Sequence, residues 1–135
     1  LGLPRIMWVG FSCSSILTAY GSHPVRRAAG RVGGVLGGSL LFCLLYQLCP
    51  PALHGGLGIL SGLCLGLCAS YGFCTVFNCL GALLTASALF GPGPAAAIRV
   101  CNNVLGSLFG LFFALVWPWL LDALSRRRTA AARES

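Results

Sequence analysis

The amino-acid sequence predicts an all-α fold, a polytopic membrane helix bundle of about five spans, and three observations support that reading. Between Val32 and Ile98 lie 67 consecutive residues without Asp, Glu, Lys or Arg. The stretches Ile6 to Val25 and Val100 to Leu121 are also free of formal charge. Each is close to the roughly 20 apolar residues that cross a hydrocarbon core as a helix. Hydrophobic residues make up 57% of the chain and charged residues 8%, a balance that no water-facing surface of a soluble domain could accommodate.

Five helical segments follow in order: 5–21, 30–49, 55–71, 73–90 and 98–121. The first is the charge-free run after Arg5. Pro50-Pro51 ends the second, because proline lacks the N–H and clashes with the preceding turn. Residues 55–90 are too many for one crossing of about 30 Å at ~1.5 Å per residue, and a break near Ser70-Tyr71-Gly72 divides them. Gly91-Pro92-Gly93-Pro94 separates the fourth segment from the fifth. Residues 1–125 are expected to form the transmembrane domain and 126–135 a polar cytoplasmic tail. With Leu1-Gly2-Leu3-Pro4 at its start and no initiator Met, the chain reads as a fragment of a longer protein.

Charge supplies orientation. All nine basic residues are Arg, and the net charge of +7 sits in short clusters beside apolar segments, which points to topology and not to nucleic acid. Arg26, Arg27 and Arg31 precede the second span, and Arg126, Arg127 and Arg128 follow the fifth. The positive-inside rule places both clusters in the cytoplasm, which five spans with an external N-terminus satisfy. Trp117 and Trp119 then lie at the cytoplasmic interface. Arg31 is expected on the cytoplasmic side and Arg99 on the other.

The eight cysteines lie within or at the edges of these segments rather than in the loops of a secreted disulfide framework. Cys64 and Cys68 are one helical turn apart but have no His or carboxylate beside them, so no metal is expected and cysteine serves as a small packing residue. Three glycine rows, Gly30/Gly34/Gly38, Gly58/Gly62/Gly66 and Gly106/Gly110, are read as helix-packing stripes.

An internal repeat is visible. A shift of 68 residues aligns 24–50 with 92–118 and matches Pro24, Ala28, Ala29, Arg31, Val32, Gly38, Ser39, Leu40 and Pro50 with Pro92, Ala96, Ala97, Arg99, Val100, Gly106, Ser107, Leu108 and Pro118. With three spans per copy, the two would cross the bilayer in opposite senses, a construction that many secondary transporters use to frame a substrate site.

Arg31 and Arg99 each stand near the expected start of a span. There a guanidinium adds to the positive end of the helix dipole and makes a site for an anion. For Arg31 an ordinary cytoplasmic anchor is the alternative. Tyr71, Thr75, Asn78, Asn102 and Asn103 are the remaining polar candidates, facing protein or a water-filled cavity because unpaired amides in hydrocarbon are costly. Tyr71, Thr75 and Asn78 share one helical face that would line a pathway, with interhelical hydrogen bonding as the alternative. There is no Lys at all, so a nucleotide-binding P-loop is excluded, and no Ser-His-Asp set suggests an enzyme. His23 and His54 fall in expected loops.

Arg31-x-x-Gly34-x-x-x-Gly38, followed by Pro50, resembles the R-x-x-G-T-x-x-G…P segment of the fusaric acid resistance and aromatic acid exporter proteins. Tyr71-x-x-x-Thr75-x-Phe77 is similar to that family's Tyr-and-Phe helix. Arg99-x-x-Asn102-Asn103-x-x-Gly106 resembles its second R-x-x-D-T-x-x-G segment, with Trp117-Pro118 closing the helix. Val35 and Asn103 stand where the family has threonines, and Asn102 where it has aspartate. The resemblance covers about residues 5–121 and extends to the plant malate channels.

It implies an inner-membrane, multi-pass transporter that exports organic anions, aromatic carboxylic acids above all, by a gradient-driven mechanism and without a cofactor. Arg31 and Arg99 would attract the carboxylate, with Tyr71, Thr75, Asn78, Asn102 and Asn103 around it. An anion channel or a non-transporting membrane scaffold is the alternative. Expected partners are membrane lipid, a small organic anion, a second copy or a missing membrane half paired through Gly58, Gly62 and Gly66, and a periplasmic adaptor.

Overall fold

A computed structural model describes residues 5–18 and 23–134, the last eight of them as backbone alone. The Leu1-Pro4 opening, the last three residues of the expected 5–21 segment, and the side chains of Arg127 and Arg128 lie outside the described residues. Five α-helices make up the fold, with no strand among the described residues: α1 (Met7–Leu17), α2 (Pro24–Leu48), α3 (His54–Leu67), α4 (Tyr71–Phe90) and α5 (Pro92–Glu134). A short 3-10 turn, Pro51–Leu53, leads into α3.

The helix limits differ from the sequence expectation where proline is concerned. Pro24 and Pro92 open α2 and α5 instead of preceding them, so both helices start six residues earlier than expected. A proline in the first turn costs nothing, because its fixed φ suits the helix and its missing N–H would have no partner there. Only Gly91, with φ +80°, separates α4 from α5. At the far end α5 does not stop near residue 121: it runs through Pro118 to Glu134, so the polar tail is helical as far as that residue. The good helix formers after Pro118 and the Asp122–Arg126 ion pair (2.8 Å, one turn apart) carry the helix on.

By length and composition α2, α4 and α5 as far as Arg126 can each cross a membrane, whereas α1 and the 51–67 stretch are shorter apolar helices.

The packing order shows how the helices run. α2 lies against α4, with Gly34 facing Gly72 and Thr75, and Gly38 facing Val76 and Cys79, so both sequences advance together and the helices are parallel. α5 lies against α1 in the same way, with Gly106 facing Val9 and Ser12, and Gly110 facing Cys13 and Ile16. α3 packs on α4 in the opposite sense, Gly58 near Leu84 and the Ser61 hydroxyl on the Phe77 carbonyl at 2.6 Å. The five helices therefore alternate in direction.

The two halves are inverted copies. Equivalent contacts map α2 onto α5 with the 68-residue shift and α4 onto α1 with a shift of 67. Gly38 on Val76 and Cys79 becomes Gly106 on Val9 and Ser12, and Gly34 on Gly72 becomes Asn102 on Arg5. The core between the halves holds Trp8, Val35, Phe42, Cys79, Leu80, Leu83, Ala86 and Ala95. All eight cysteines are free thiols, and Cys79 fills this core.

Close approach depends on glycine at two of these contacts. A Cβ on Gly38 would sit 2.7 Å from both the Cys79 Cβ and the Val76 carbonyl oxygen, and one on Gly106 would sit 2.6 Å from the Ser12 Cβ. Of the third row, Gly58 packs near Leu84 of α4, whereas nothing among the described residues lies within 4 Å of Gly62 or Gly66. Gly38→Ala and Gly106→Ala are each expected to destabilise the detergent-solubilised protein by about 1–3 kcal/mol through overpacking. Gly62→Ala should leave the melting temperature unchanged, all three being read by fluorescence-detected size exclusion after heating.

Candidate functional site

α1 and α4 are equivalent helices of the two halves, and they face each other across a cavity of about 460 Å³. α1 lines it with Trp8, Phe11, Ser14 and Ser15, α4 with Asn78 and Ala82, α2 with Arg31 and α5 with Arg99. The lining is arranged about the internal repeat: Arg31 corresponds to Arg99, Phe11 to Asn78, and Ser15 to Ala82.

Both arginines are buried, with 7% of Arg31 and 4% of Arg99 exposed. Each is the eighth residue of its helix, two turns in from the N-terminus. The expectation that they add to the helix dipole at a span's start is therefore corrected, since that effect fades within the first turn. What holds them is local. Arg31 donates from Nη1 to Ser15 Oγ at 3.0 Å and to Tyr71 Oη at 3.4 Å. The guanidinium carbon of Arg99 lies 4.5 Å from the centre of the Trp8 ring, with the Cys79 thiol beside it. Nε of each arginine has no hydrogen-bond partner among the described residues.

Neither meets a carboxylate among the described residues. The sequence holds only two acidic residues, and one of them, Asp122, is exposed and paired with Arg126. A guanidinium at the centre of a membrane helix costs about 2.5–3.5 kcal/mol on insertion scales. A desolvated cation–π contact returns about 2 kcal/mol. The cavity beside both groups leaves room for water or an anion to supply the balance.

The other sequence candidates separate. Asn78 lines the cavity, and no hydrogen bond engages its side chain among the described residues. Tyr71 stands at the cavity's edge, its hydroxyl 2.6 Å from Ser15 Oγ. Thr75 turns away, buried against Gly34 with its hydroxyl on the Tyr71 carbonyl. The shared face expected of Tyr71, Thr75 and Asn78 is thus divided, because the parallel α2 contact claims Thr75.

Asn102 and Asn103 do not line the cavity either. Asn102 donates to the Arg5 carbonyl at 3.2 Å, and Asn103 accepts from Ser12 and donates to the Arg99 carbonyl at 3.0 Å. They fasten α5 to α1. Sequence reasoning missed Trp8 and Ser15, though the polar Ser12, Ser14 and Ser15 in a short apolar segment were a visible signal.

Residues 1–113 match the fusaric acid resistance protein-like family. The chain belongs to that family. It is accordingly a membrane protein of a transporter-type family. No curated protein and no solved structure gives a significant match.

Fastening and cavity residues should respond differently to truncation. Ser12→Ala strips the buried Asn103 carbonyl of its donor and is expected to cost about 1–3 kcal/mol of stability. Asn78→Ala removes an amide with no protein partner and should leave thermal stability in detergent within about 0.5 kcal/mol of the parent. Equal losses would show that Asn78 is a packing residue.

Proposed function

We propose that this protein exports small organic anions across the bacterial-type inner membrane, aromatic carboxylates foremost, driven by an ion or proton gradient. One observation carries the reading: two buried guanidinium groups without a carboxylate partner face one cavity of about 460 Å³. That volume falls in the range of small-molecule sites. Arginine offers a carboxylate a planar, bidentate fork, and the unpartnered Nε of each residue is part of it. Trp8 and Phe11 in the same lining offer aromatic faces to a ring. Asn78 adds an amide for a ring hydroxyl, and Tyr71 a phenol at the edge.

Family membership supports transport in general, and the aromatic faces favour this substrate class. The inverted halves support alternating access around a central site, as in other inverted-repeat transporters. The chain presents an open Gly62/Gly66 face on α3, where a second copy or a further membrane half would pack, and a periplasmic adaptor would complete an export route.

The test is flux. Uptake of radiolabelled hydroxybenzoate into inverted vesicles bearing the full-length protein should fall about tenfold or more for Arg99→Gln, equivalent to the loss of at least ~1.4 kcal/mol. Arg99→Lys should recover part of it, since the charge remains while the fork is lost. Undiminished flux in Arg99→Gln would remove this role. No anion flux in any variant would leave a membrane scaffold as the reading.

A further inference from the structure

A second basic cavity, of about 500 Å³, lies at the end of the bundle where α2 and α4 begin, lined among others by His23, Arg26, Arg27, Gly30 and Tyr71. It and the inner cavity share a wall. Ser15 lines the inner space and Tyr71 the outer, and their hydroxyls meet at 2.6 Å. A guanidinium grips this pair from each side. From the inner side Arg31 reaches both hydroxyls, at 3.0 and 3.4 Å. From the outer side Arg27 donates from Nε to the Ser15 carbonyl at 2.7 Å and lies 4.3 Å over the Tyr71 ring.

The chemistry of this wall is unequal to that of an arriving anion. Arg31 gives its donors to two neutral oxygens and leaves Nε unpartnered. A carboxylate forms hydrogen bonds roughly twice as strong as those neutral acceptors do. A carboxylate bound on Arg31 in the inner cavity therefore displaces Ser15 and Tyr71 from it and loosens the wall between that cavity and the outer one. The repeat provides a contrast, because the counterpart of Ser15 is Ala82, which has no hydroxyl. A wall of this kind is built on the Arg31 side of the cavity and not by the equivalent α4 residue.

Resting on the organic-anion reading above, we propose two carboxylate sites in series: an outer one at Arg26 and Arg27 and an inner one at Arg31 and Arg99. The Ser15–Tyr71 hydroxyl pair is the gate between them, and it opens when a carboxylate takes its place on Arg31.

Thiol accessibility tests the gate without requiring transport. Asn78→Cys, in the full-length protein with native cysteines replaced, puts a single thiol in the inner cavity. A negatively charged, impermeant methanethiosulfonate is applied from the Arg26/Arg27 side, and a positively charged one of similar size runs in parallel. Ser15→Ala and Tyr71→Phe each delete one hydroxyl while keeping the Ser15 carbonyl and the aromatic ring under Arg27. Each should speed anionic labelling about three- to tenfold, the net worth of one such hydrogen bond. Arg26→Gln should slow the anionic reagent severalfold and leave the cationic one unchanged.

Anionic labelling as slow in both hydroxyl variants as in the parent would overturn the gate, and indifference to Arg26→Gln would remove the outer site. Equal acceleration of both reagents would uphold the gate and overturn the anion reading, so the two failures are distinguishable. Unchanged elution in mild detergent establishes that each variant is folded.

Discussion

Two guanidinium groups are buried in a bundle that gives them no carboxylate, and the inner architecture is organised around that constraint. Arginine cannot shed its proton at any accessible pH, so the cost of burial is not relieved by neutralisation. Protein groups meet part of it. Arg99 lies over the Trp8 ring, and Arg31 donates to the hydroxyls of Ser15 and Tyr71. These partners are neutral and satisfy only some of the donors. The unpartnered Nε atoms and the adjoining cavity leave each charge partly available, which suits a site that must bind an anion and then release it. A buried Asp or Glu in the same place would hold each arginine more tightly and occupy the position a ligand needs.

The cavity itself is a consequence of how the halves interlock. α2 is drawn onto α4 at Gly34 and Gly38, and α5 onto α1 at Gly106 and Gly110. Each close contact joins a helix of one half to a helix of the other. With α1 held by α5 and α4 held by α2, the two helices left facing each other, α1 and α4, border the space between on two sides. Both arginines project there because they occupy the same register on the two long helices. Asn102 and Asn103 belong to this fastening: their amides tie α5 to α1 next to Arg99 and thereby fix the backbone that carries it.

Much of this was legible in sequence because it rests on charge and on repetition. A charge-free run of 67 residues leaves few alternatives to membrane helices, and the repeat picks out Arg31 and Arg99 as equivalent. The chain break between α3 and α4 was visible from length alone. What was hidden depends on neighbours. Proline reads equally well as the last residue of a loop or the first of a helix, which moved the starts of α2 and α5 to Pro24 and Pro92. Periodicity placed Tyr71, Thr75 and Asn78 on one face but could not say that α2 would cover its middle. Gly58, Gly62 and Gly66 share the spacing of Gly34 and Gly38, yet spacing does not name a partner, and among the described residues none comes within 4 Å of Gly62 or Gly66. The contribution of α1 was the largest omission, since the 5–21 segment was read as a span without any candidate site residue while α1 forms half of the cavity wall.

In an inverted repeat with two identical halves, exchanging their conformations would give two states of equal energy, open to opposite sides. Substitutions at the contacts around the repeat axis break that equality. Here the equivalent pairs have diverged in chemistry: Ser15 against Ala82, Phe11 against Asn78, Gly34 against Asn102. The hydroxyl wall forms at the Arg31 side, whereas on the other side Arg99 is covered by an aromatic face and its helix is pinned by two amides. A ligand shifts such an equilibrium only by as much as it binds one state better than the other. On the transport reading, the side closed by weak, exchangeable hydroxyl bonds is the one a carboxylate bound on Arg31 can open, and the pinned side is the one that must wait for the driving gradient. Direction of transport would then follow from the departures from symmetry and not from the repeat itself.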